Sequence, residues 1–146
     1  MRNFSLKLLK TWQFCYNFAK FFGVFMIFED DLFYIQWEEA EIPWLKIFAK
    51  RQVKELSDLD ESEQTALFKI AFICEKALIE FYKADKINWA SFANYVPKVH
   101  LHIMARFKDD SFFPESMWGQ KQRQGKNRQL EKEKFEEFLR GKLSKN

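Results

Sequence analysis

The sequence predicts an α+β domain with an antiparallel sheet of about five strands, one long helix and a C-terminal helix. Short segments rich in aromatic and β-branched residues, which are typical of strands, flank one long segment with helical periodicity. The last part of the chain carries a second, strongly charged helical pattern. With 146 residues, 47% of them hydrophobic, the chain is long enough to bury one core.

The first predicted strands cover residues 32–37 and 44–49. Both segments are rich in aromatic and β-branched residues, which fit a pleated, half-buried surface. Pro43 excludes the segment 38–43 from a central strand, because proline has no N–H to donate to a neighbouring strand. We therefore expect an antiparallel pair of strands joined by this loop.

A long helix is predicted over residues 60–83. Asp60 and Glu63 have the spacing of a capping box, and negative charge is favourable at a helix N-terminus. Apolar residues then recur at helical spacing: Leu67, Ile70, Ala71, Cys74, Leu78 and Phe81. One face of this helix should be buried, with Cys74 as a plain core residue.

Two more strands and a second helix follow. Residues 87–92 and 99–107 are predicted strands, joined through Asn94 and Pro97. The segment 129–142 predicts a charged helix whose charged residues face solvent. Its apolar residues are Leu130, Phe135, Phe138 and Leu139.

Composition argues against several classes of protein. No run of about 18 apolar residues predicts a membrane-spanning helix. The two cysteines have no disulfide or ligand spacing, which is typical of the reducing cytoplasm. The net charge of +3 comes from the termini, because residues 1–25 hold four basic residues and no acidic one. We therefore expect no nucleic-acid partner.

Residues 1–25 are very aromatic, but their apolar positions form no clean helical stripe. They lack the apolar core and the small-residue cleavage site of a signal peptide. Binding to a membrane surface is one open interpretation. We favour an N-terminal extension outside the domain, or an untranslated stretch, followed by a catalytic domain at 26–122 and a charged helix or tail at 123–146.

Two histidines, the only ones in the chain, lie two residues apart in the predicted strand 99–107. Because side chains alternate in a strand, Lys98, His100 and His102 should share one face, which we expect to be exposed. The opposite face is apolar: Val99, Leu101, Ile103 and Ala105. A lysine and two imidazoles can meet a phosphate, whereas zinc would need further ligands that the sequence does not supply. Plain structural histidines are the alternative.

This region resembles the histidine triad (HIT) family of nucleotide hydrolases and transferases. The family signature has three histidines alternating with hydrophobic residues, and the frame around His100 and His102 is similar. Residues 86–97 resemble the family's preceding strand and phosphate-binding turn. Residues 106–119 resemble the tail of a bacterial, diadenosine polyphosphate hydrolase-like branch. Two positions depart from the pattern, since Lys98 replaces the first histidine and Ala93 replaces a glycine.

The resemblance implies a nucleotidyl-histidine mechanism. His100 would be the nucleophile that attacks the α-phosphorus of a nucleoside polyphosphate or phosphoramidate, and His102 would donate to a phosphate oxygen. Asn94 would stabilise the developing charge. Asn88 would lie near the ribose and phosphate, and the Lys98 ammonium would attract the polyphosphate.

The resemblance also implies partners and a pocket. Apolar residues such as Phe33 and Ile35 are candidates for the base pocket. No cofactor is required, although Mg²⁺ could enter as the counter-ion of a polyphosphate. A homodimer with a continuous sheet is implied, and Trp118 would pack either at that interface or within one chain. Two other functions stay open: a nucleotide-binding protein with reduced or no turnover, and an interaction module that uses the termini.

Overall fold

The structure, a computed structural model, describes residues 26–145. The expectations for residues 1–25 therefore lie outside the described residues. The strands and helices are β1 (Met26–Glu29), β2 (Phe33–Trp37), β3 (Trp44–Ala49), α1 (Glu61–Tyr82), β4 (Lys86–Ala90), β5 (His100–Arg106) and α2 (Lys132–Leu143). A single 3-10 turn, Leu56–Asp58, precedes α1. Within residues 26–145, no helix is long and apolar enough to cross a membrane.

The five strands form one antiparallel sheet in the order β1-β2-β3-β5-β4. The α+β prediction is confirmed, and the predicted strand boundaries differ from the observed ones by at most two residues. The histidine strand, β5, lies between β3 and β4. An interior strand is rigid because it is hydrogen-bonded on both edges, and it can therefore hold side chains in fixed positions.

Helix α1 begins with the predicted capping box. The Asp60 carboxylate accepts a hydrogen bond from the backbone N–H of Glu63 at 2.9 Å, and the Glu63 carboxylate accepts one from the N–H of Asp60 at 2.9 Å. The helix ends at Lys83, which adopts the left-handed conformation with φ of 56°. Its buried face packs on the sheet, and Cys74 is fully buried there as predicted.

Helix α2 packs into the same hydrophobic core. Phe135 and Leu139 are fully buried, and the Phe135 ring lies 5.5 Å from that of Trp37 on β2. The Trp37 indole N–H also donates to the Glu136 carboxylate at 3.0 Å. The helix predicted at 129–142 thus exists, although it begins three residues later.

The segment after β5 folds back over the face of the sheet opposite helix α1, which is the face that carries the two histidines. Arg106 and Asp110 are almost completely buried, and two guanidinium N–H groups donate to the Asp110 carboxylate at 2.8 and 3.0 Å. Arg106 also donates to the backbone carbonyl of Glu115 at 2.8 Å. We call residues 107–119 the tail segment; these bonds fix its path toward the two histidines.

Candidate functional site

The two histidine rings lie side by side on β5. Their centroids are 4.9 Å apart and their planes make an angle of 68°. His100 is only 7% exposed and His102 only 8%. The expectation that this face is exposed was wrong, because the tail segment places Trp118 against it. The ring centroids of Trp118 and His102 are 5.2 Å apart.

The hydrogen bond of His100 defines its neutral tautomer. The Nδ1 atom lies 2.8 Å from the backbone carbonyl oxygen of Lys98. A carbonyl oxygen can only accept, so Nδ1 carries the proton. The neutral ring therefore has a lone pair on Nε2. Phe48 stacks on the ring at 4.6 Å, which further restricts its orientation.

His102 has the opposite tautomer. The indole N–H of Trp44, which can only donate, lies 2.9 Å from His102 Nδ1. Nδ1 is therefore the acceptor, and the neutral ring carries its proton on Nε2. Burial, the neighbouring His100 and the ammonium of Lys46 together lower the pKa of His102 to about 4, with Glu38 opposing them. At neutral pH, His102 is thus an uncharged N–H donor.

The low pKa of His102 predicts a pH-dependent stability. The unfolded chain binds a proton at this ring below pH 6.5, whereas the folded chain binds it only near pH 4. The free energy of unfolding should therefore decrease as the pH is lowered from 6.5 toward 4, by about 3 kcal/mol from this residue. His102→Asn keeps an acceptor for Trp44 and should lack that contribution. Denaturant unfolding of both proteins at several pH values measures it, and parallel curves would contradict it.

A cavity of about 460 Å³ opens over the two histidines. The loop 92–96 forms one wall, and Lys46 and Phe48 of β3 form another. Glu38 and Trp118 complete the rim. A volume in this range suits a small organic ligand. Such a ligand would meet a lone pair, an N–H donor and an ammonium in one place.

The predicted site residues are only partly gathered here. Asn94 lines the cavity with both histidines. The Asn88 side chain lies on the same face of the sheet, but its oxygen accepts from Arg106 at 2.7 Å, and Asn88 lines a neighbouring cavity. Lys98 lies before β5, which begins at His100, and its ammonium lies 5.5 Å from the centre of the Tyr34 ring. The backbone carbonyl of Lys98 therefore contacts His100, whereas the Lys98 ammonium lies over the Tyr34 ring.

Ala93 adopts a conformation that favours glycine. Its φ of 50° lies in the left-handed region. A side chain costs roughly 1–2 kcal/mol there, because Cβ crowds the following carbonyl oxygen. The glycine expected at this position by resemblance thus has a physical reason, and this chain carries strain in the cavity wall instead.

Phe33 and Ile35 do not form a base pocket. Both are almost completely buried in the hydrophobic core, on the sheet face opposite the histidines. The side chains of β3 that share the histidine face of the sheet were not predicted as part of the site: Trp44, Lys46 and Phe48. The signal for them was present: alternation within 44–49 sets these three apart from the aliphatic residues between them, and Lys46 is the one charged residue of that strand.

No group of three or more His, Cys, Asp or Glu side chains within residues 26–145 could hold a metal ion. Burial raises the pKa of the Cys74 thiol to about 12. Its thiolate is therefore absent at neutral pH, and Cys74 has no part in the site's chemistry. The reactive groups of this cavity are its imidazoles, its ammonium and its carboxylate.

Comparison with known proteins assigns the chain to a family. Residues 24–109, more than half of the sequence, match the family model of the HIT domain. The chain belongs to the histidine triad (HIT) family. A histidine triad protein from Bradyrhizobium japonicum is 32% identical, with a TM-score of 0.70 over 82% of this chain and 90% of its own. None of the curated proteins matches.

More distant HIT structures share the fold. A histidine triad protein from Sinorhizobium meliloti is 24% identical, with a TM-score of 0.66 over 83% of this chain and 88% of its own. One from Marinobacter aquaeolei is 22% identical, with a TM-score of 0.69 over 84% of this chain and 90% of its own. The HIT family suggests nucleotide binding or nucleotide hydrolase and transferase activity.

Proposed function

We propose that this HIT protein is a nucleotide hydrolase or nucleotidyl transferase that acts at the α-phosphate of a nucleoside polyphosphate or phosphoramidate. This proposal rests on the opposite tautomers of His100 and His102. His100 presents a lone pair on Nε2, and His102, 4.9 Å away between ring centroids, presents an N–H. A nucleophile and a hydrogen-bond donor aimed into one cavity suit attack on phosphorus and stabilisation of the phosphoryl oxygens.

In the first step, the Nε2 lone pair of His100 attacks the α-phosphorus. The N–P bond forms while the bond from phosphorus to the leaving group breaks, and that electron pair departs with the leaving group. The imidazole then bears a positive charge, which the Lys98 carbonyl stabilises through Nδ1–H. The His102 N–H and the Asn94 amide, which line the same cavity, would bind the phosphoryl oxygens.

In the second step, water attacks the same phosphorus. An O–P bond forms from the water, the N–P bond breaks and its electron pair returns to Nε2, and the proton lost by the water passes to the solvent as the nucleoside monophosphate leaves. A different hydroxyl or amine acceptor would make the protein a transferase. The scheme requires no metal ion, although Mg²⁺ can accompany a polyphosphate substrate as its counter-ion.

The substrate class proposed first is the dinucleoside polyphosphates, of which diadenosine polyphosphates are an example. Its support is the resemblance of residues 106–119 to the tail of that bacterial branch. The second candidate is a nucleotide-binding protein with little or no turnover. Two observations favour it: the strained Ala93 in the cavity wall, and the Lys98 ammonium that lies over Tyr34 rather than beside the histidines.

One assay separates the two candidates. The protein is incubated with a panel of diadenosine polyphosphates and adenosine phosphoramidate, and release of adenosine monophosphate is measured beside nucleotide affinity. Turnover with any member supports the hydrolase. Tight binding without turnover supports the binding protein. If the protein shows neither turnover nor tight binding, the third interpretation, an interaction module, remains. The cytoplasm, suggested by cysteines without disulfide spacing, is the proposed compartment.

We also propose a homodimer formed through the edge of β4. This strand pairs only with β5, so its outer edge is open among residues 26–145. Phe68 and Phe72 of α1 are 42% and 52% exposed, and both rings contact Trp89 of β4. An exposed aromatic cluster beside an open strand edge favours strand pairing with a second copy.

Phe72→Glu is expected to convert the dimer to a monomer, because it introduces a charge into this aromatic cluster. Light scattering after size-exclusion chromatography measures the mass of both proteins. Leu32→Glu is the matched control, since Leu32 is 38% exposed and lies beside β2, away from β4. A Phe72→Glu protein with the mass of the parent dimer would contradict this interface.

A further inference from the structure

Lys46 places a cation in the histidine cavity. It lies on β3 in register with His102 of β5, so the two side chains are on the same face of the sheet. The Lys46 side chain is 18% exposed and lines the cavity. Among the residues described as lining it, Lys46 is the only lysine or arginine.

Glu38 fixes the position of this ammonium. The Glu38 carboxylate oxygen lies 2.6 Å from Lys46 Nζ, and Glu38 lines the same cavity. An ammonium has three N–H groups, and this ion pair uses one of them. The remaining N–H groups are available to an anion that enters the cavity.

Lys46 lines the same cavity as both histidines, and its charge acts on His102. Nζ lies 5.7 Å from the centre of the Phe48 ring, and that ring stacks on His100 at 4.6 Å. The same ammonium contributes to the low pKa of His102, after burial and His100. It therefore stands beside the positions where a substrate phosphate would meet the two imidazoles.

We propose that Lys46, positioned by Glu38, binds an anionic phosphoryl oxygen of the substrate. This inference rests on the proposed function and adds a residue that the family signature around His100 and His102 does not contain. A phosphate that contacts His102 Nε2–H can accept a second, charge-assisted bond from Lys46 Nζ. Glu38 keeps the long lysine side chain in one place, so less conformational entropy is lost when the phosphate binds.

Lys46 also helps to keep His102 uncharged. The titratable groups that line the cavity with His102 are His100 on the same strand, Lys46 on β3, Glu38 after β2 and Tyr95 in the loop 92–96. Removal of the ammonium should raise the pKa of His102, because protonation no longer meets a neighbouring positive charge. Removal of the Glu38 charge should lower it for the opposite reason.

The test compares Lys46→Gln and Lys46→Met with Lys50→Gln. Lys50 is the matched control, because it forms an ion pair of the same 2.6 Å length with Glu29 and does not line the cavity. Calorimetric titration with adenosine monophosphate and with uncharged adenosine separates phosphate binding from nucleoside binding. Both Lys46 variants should bind the monophosphate about ten- to a hundredfold more weakly than the parent, and adenosine equally well. Lys46→Arg should recover most of the affinity.

A second measurement is independent of nucleotide. The chain has two histidines, so NMR titration of their ring signals follows each one separately. The pKa of His102 should rise in Lys46→Met and fall in Glu38→Gln, whereas Lys50→Gln should leave it unchanged. Inorganic phosphate added to the parent should also shift the His102 signal, and this shift should weaken in Lys46→Met.

The outcomes are distinguishable. Monophosphate binding by the parent without turnover would overturn the proposed hydrolysis and leave the Lys46 site intact. Equal monophosphate affinity in the parent and both Lys46 variants would overturn the Lys46 site alone. A parent that binds neither the monophosphate nor inorganic phosphate would overturn both.

Discussion

His100→Ala is expected to lower turnover by at least about a thousandfold, because it removes Nε2, the atom proposed to form the bond to phosphorus. Affinity for adenosine monophosphate should change little, since the phosphate contacts of His102 and Lys46 remain. The measurement is monophosphate release from the best substrate of the panel, with binding measured by calorimetry. A loss of turnover with retained binding identifies a group that acts on the reacting atoms.

His100→Asn is the structural control for this variant. An asparagine amide can donate to the Lys98 carbonyl as Nδ1–H of His100 does, at 2.8 Å in the parent, but it has no counterpart of Nε2. It should therefore keep the fold and still lack turnover. Rapid denaturation of the parent during turnover should trap a nucleotide bound to His100 through nitrogen. Unchanged turnover in either variant would exclude the nucleotidyl-histidine mechanism.

The second large effect is on stability. Asp110→Asn is expected to lower the free energy of unfolding by about 3–5 kcal/mol, because it leaves the buried Arg106 guanidinium without its counter-charge. Asp110 also accepts from the backbone N–H groups of Phe107, Phe112 and Phe113. Burial alone would raise the pKa of Asp110, but these bonds and Arg106 lower it to about 2.

The contribution of Asp110 to stability depends on pH. The stabilisation from Asp110 is complete above pH 3.8, the ordinary pKa of an aspartate, and is lost as the pH falls toward 2. Asp110→Asn should lack this acid transition. Denaturant unfolding at neutral and acid pH measures both effects. Because the ion pair anchors the tail segment that carries Trp118, the variant should also show weaker protection of the histidine cavity from solvent.

Asp109→Asn is the matched control, since Asp109 is the preceding residue and carries the same charge. Its side chain is 53% exposed and pairs with Arg128, whose side chain is 17% exposed. Because the Asp109 carboxylate is exposed and solvent screens its charge, this change should alter the unfolding free energy far less than Asp110→Asn. Equal stability of Asp109→Asn and Asp110→Asn would show that the buried pair does not anchor the tail.

The elements of the fold were predictable because their signals are local. The capping box of Asp60 and Glu63 and the apolar stripe that includes Cys74 depend only on residues a few positions apart. Alternation within 99–107 likewise placed His100 and His102 on one side of their strand. These patterns follow from backbone periodicity, which a single segment displays by itself.

The surroundings of the histidines were not predictable in this way. Trp44 and Lys46 come from β3, and Trp118 comes from the tail segment, so their contacts with His102 depend on which strands pair and how the tail returns. The error about Phe33 and Ile35 has the same origin. Alternation shows that two side chains share a face, but only packing decides which face meets the helices.

The amino-acid sequence by itself therefore determined the α+β architecture, the family resemblance and the pair of histidines, since each resides in local periodicity or in a contiguous motif. Tertiary structure alone decided that His100 presents a lone pair while His102 presents an N–H, and that Lys46 is the cation beside them. A tautomer depends on the partner at the other ring nitrogen, and the Trp44 partner of His102 lies 58 residues away in the chain.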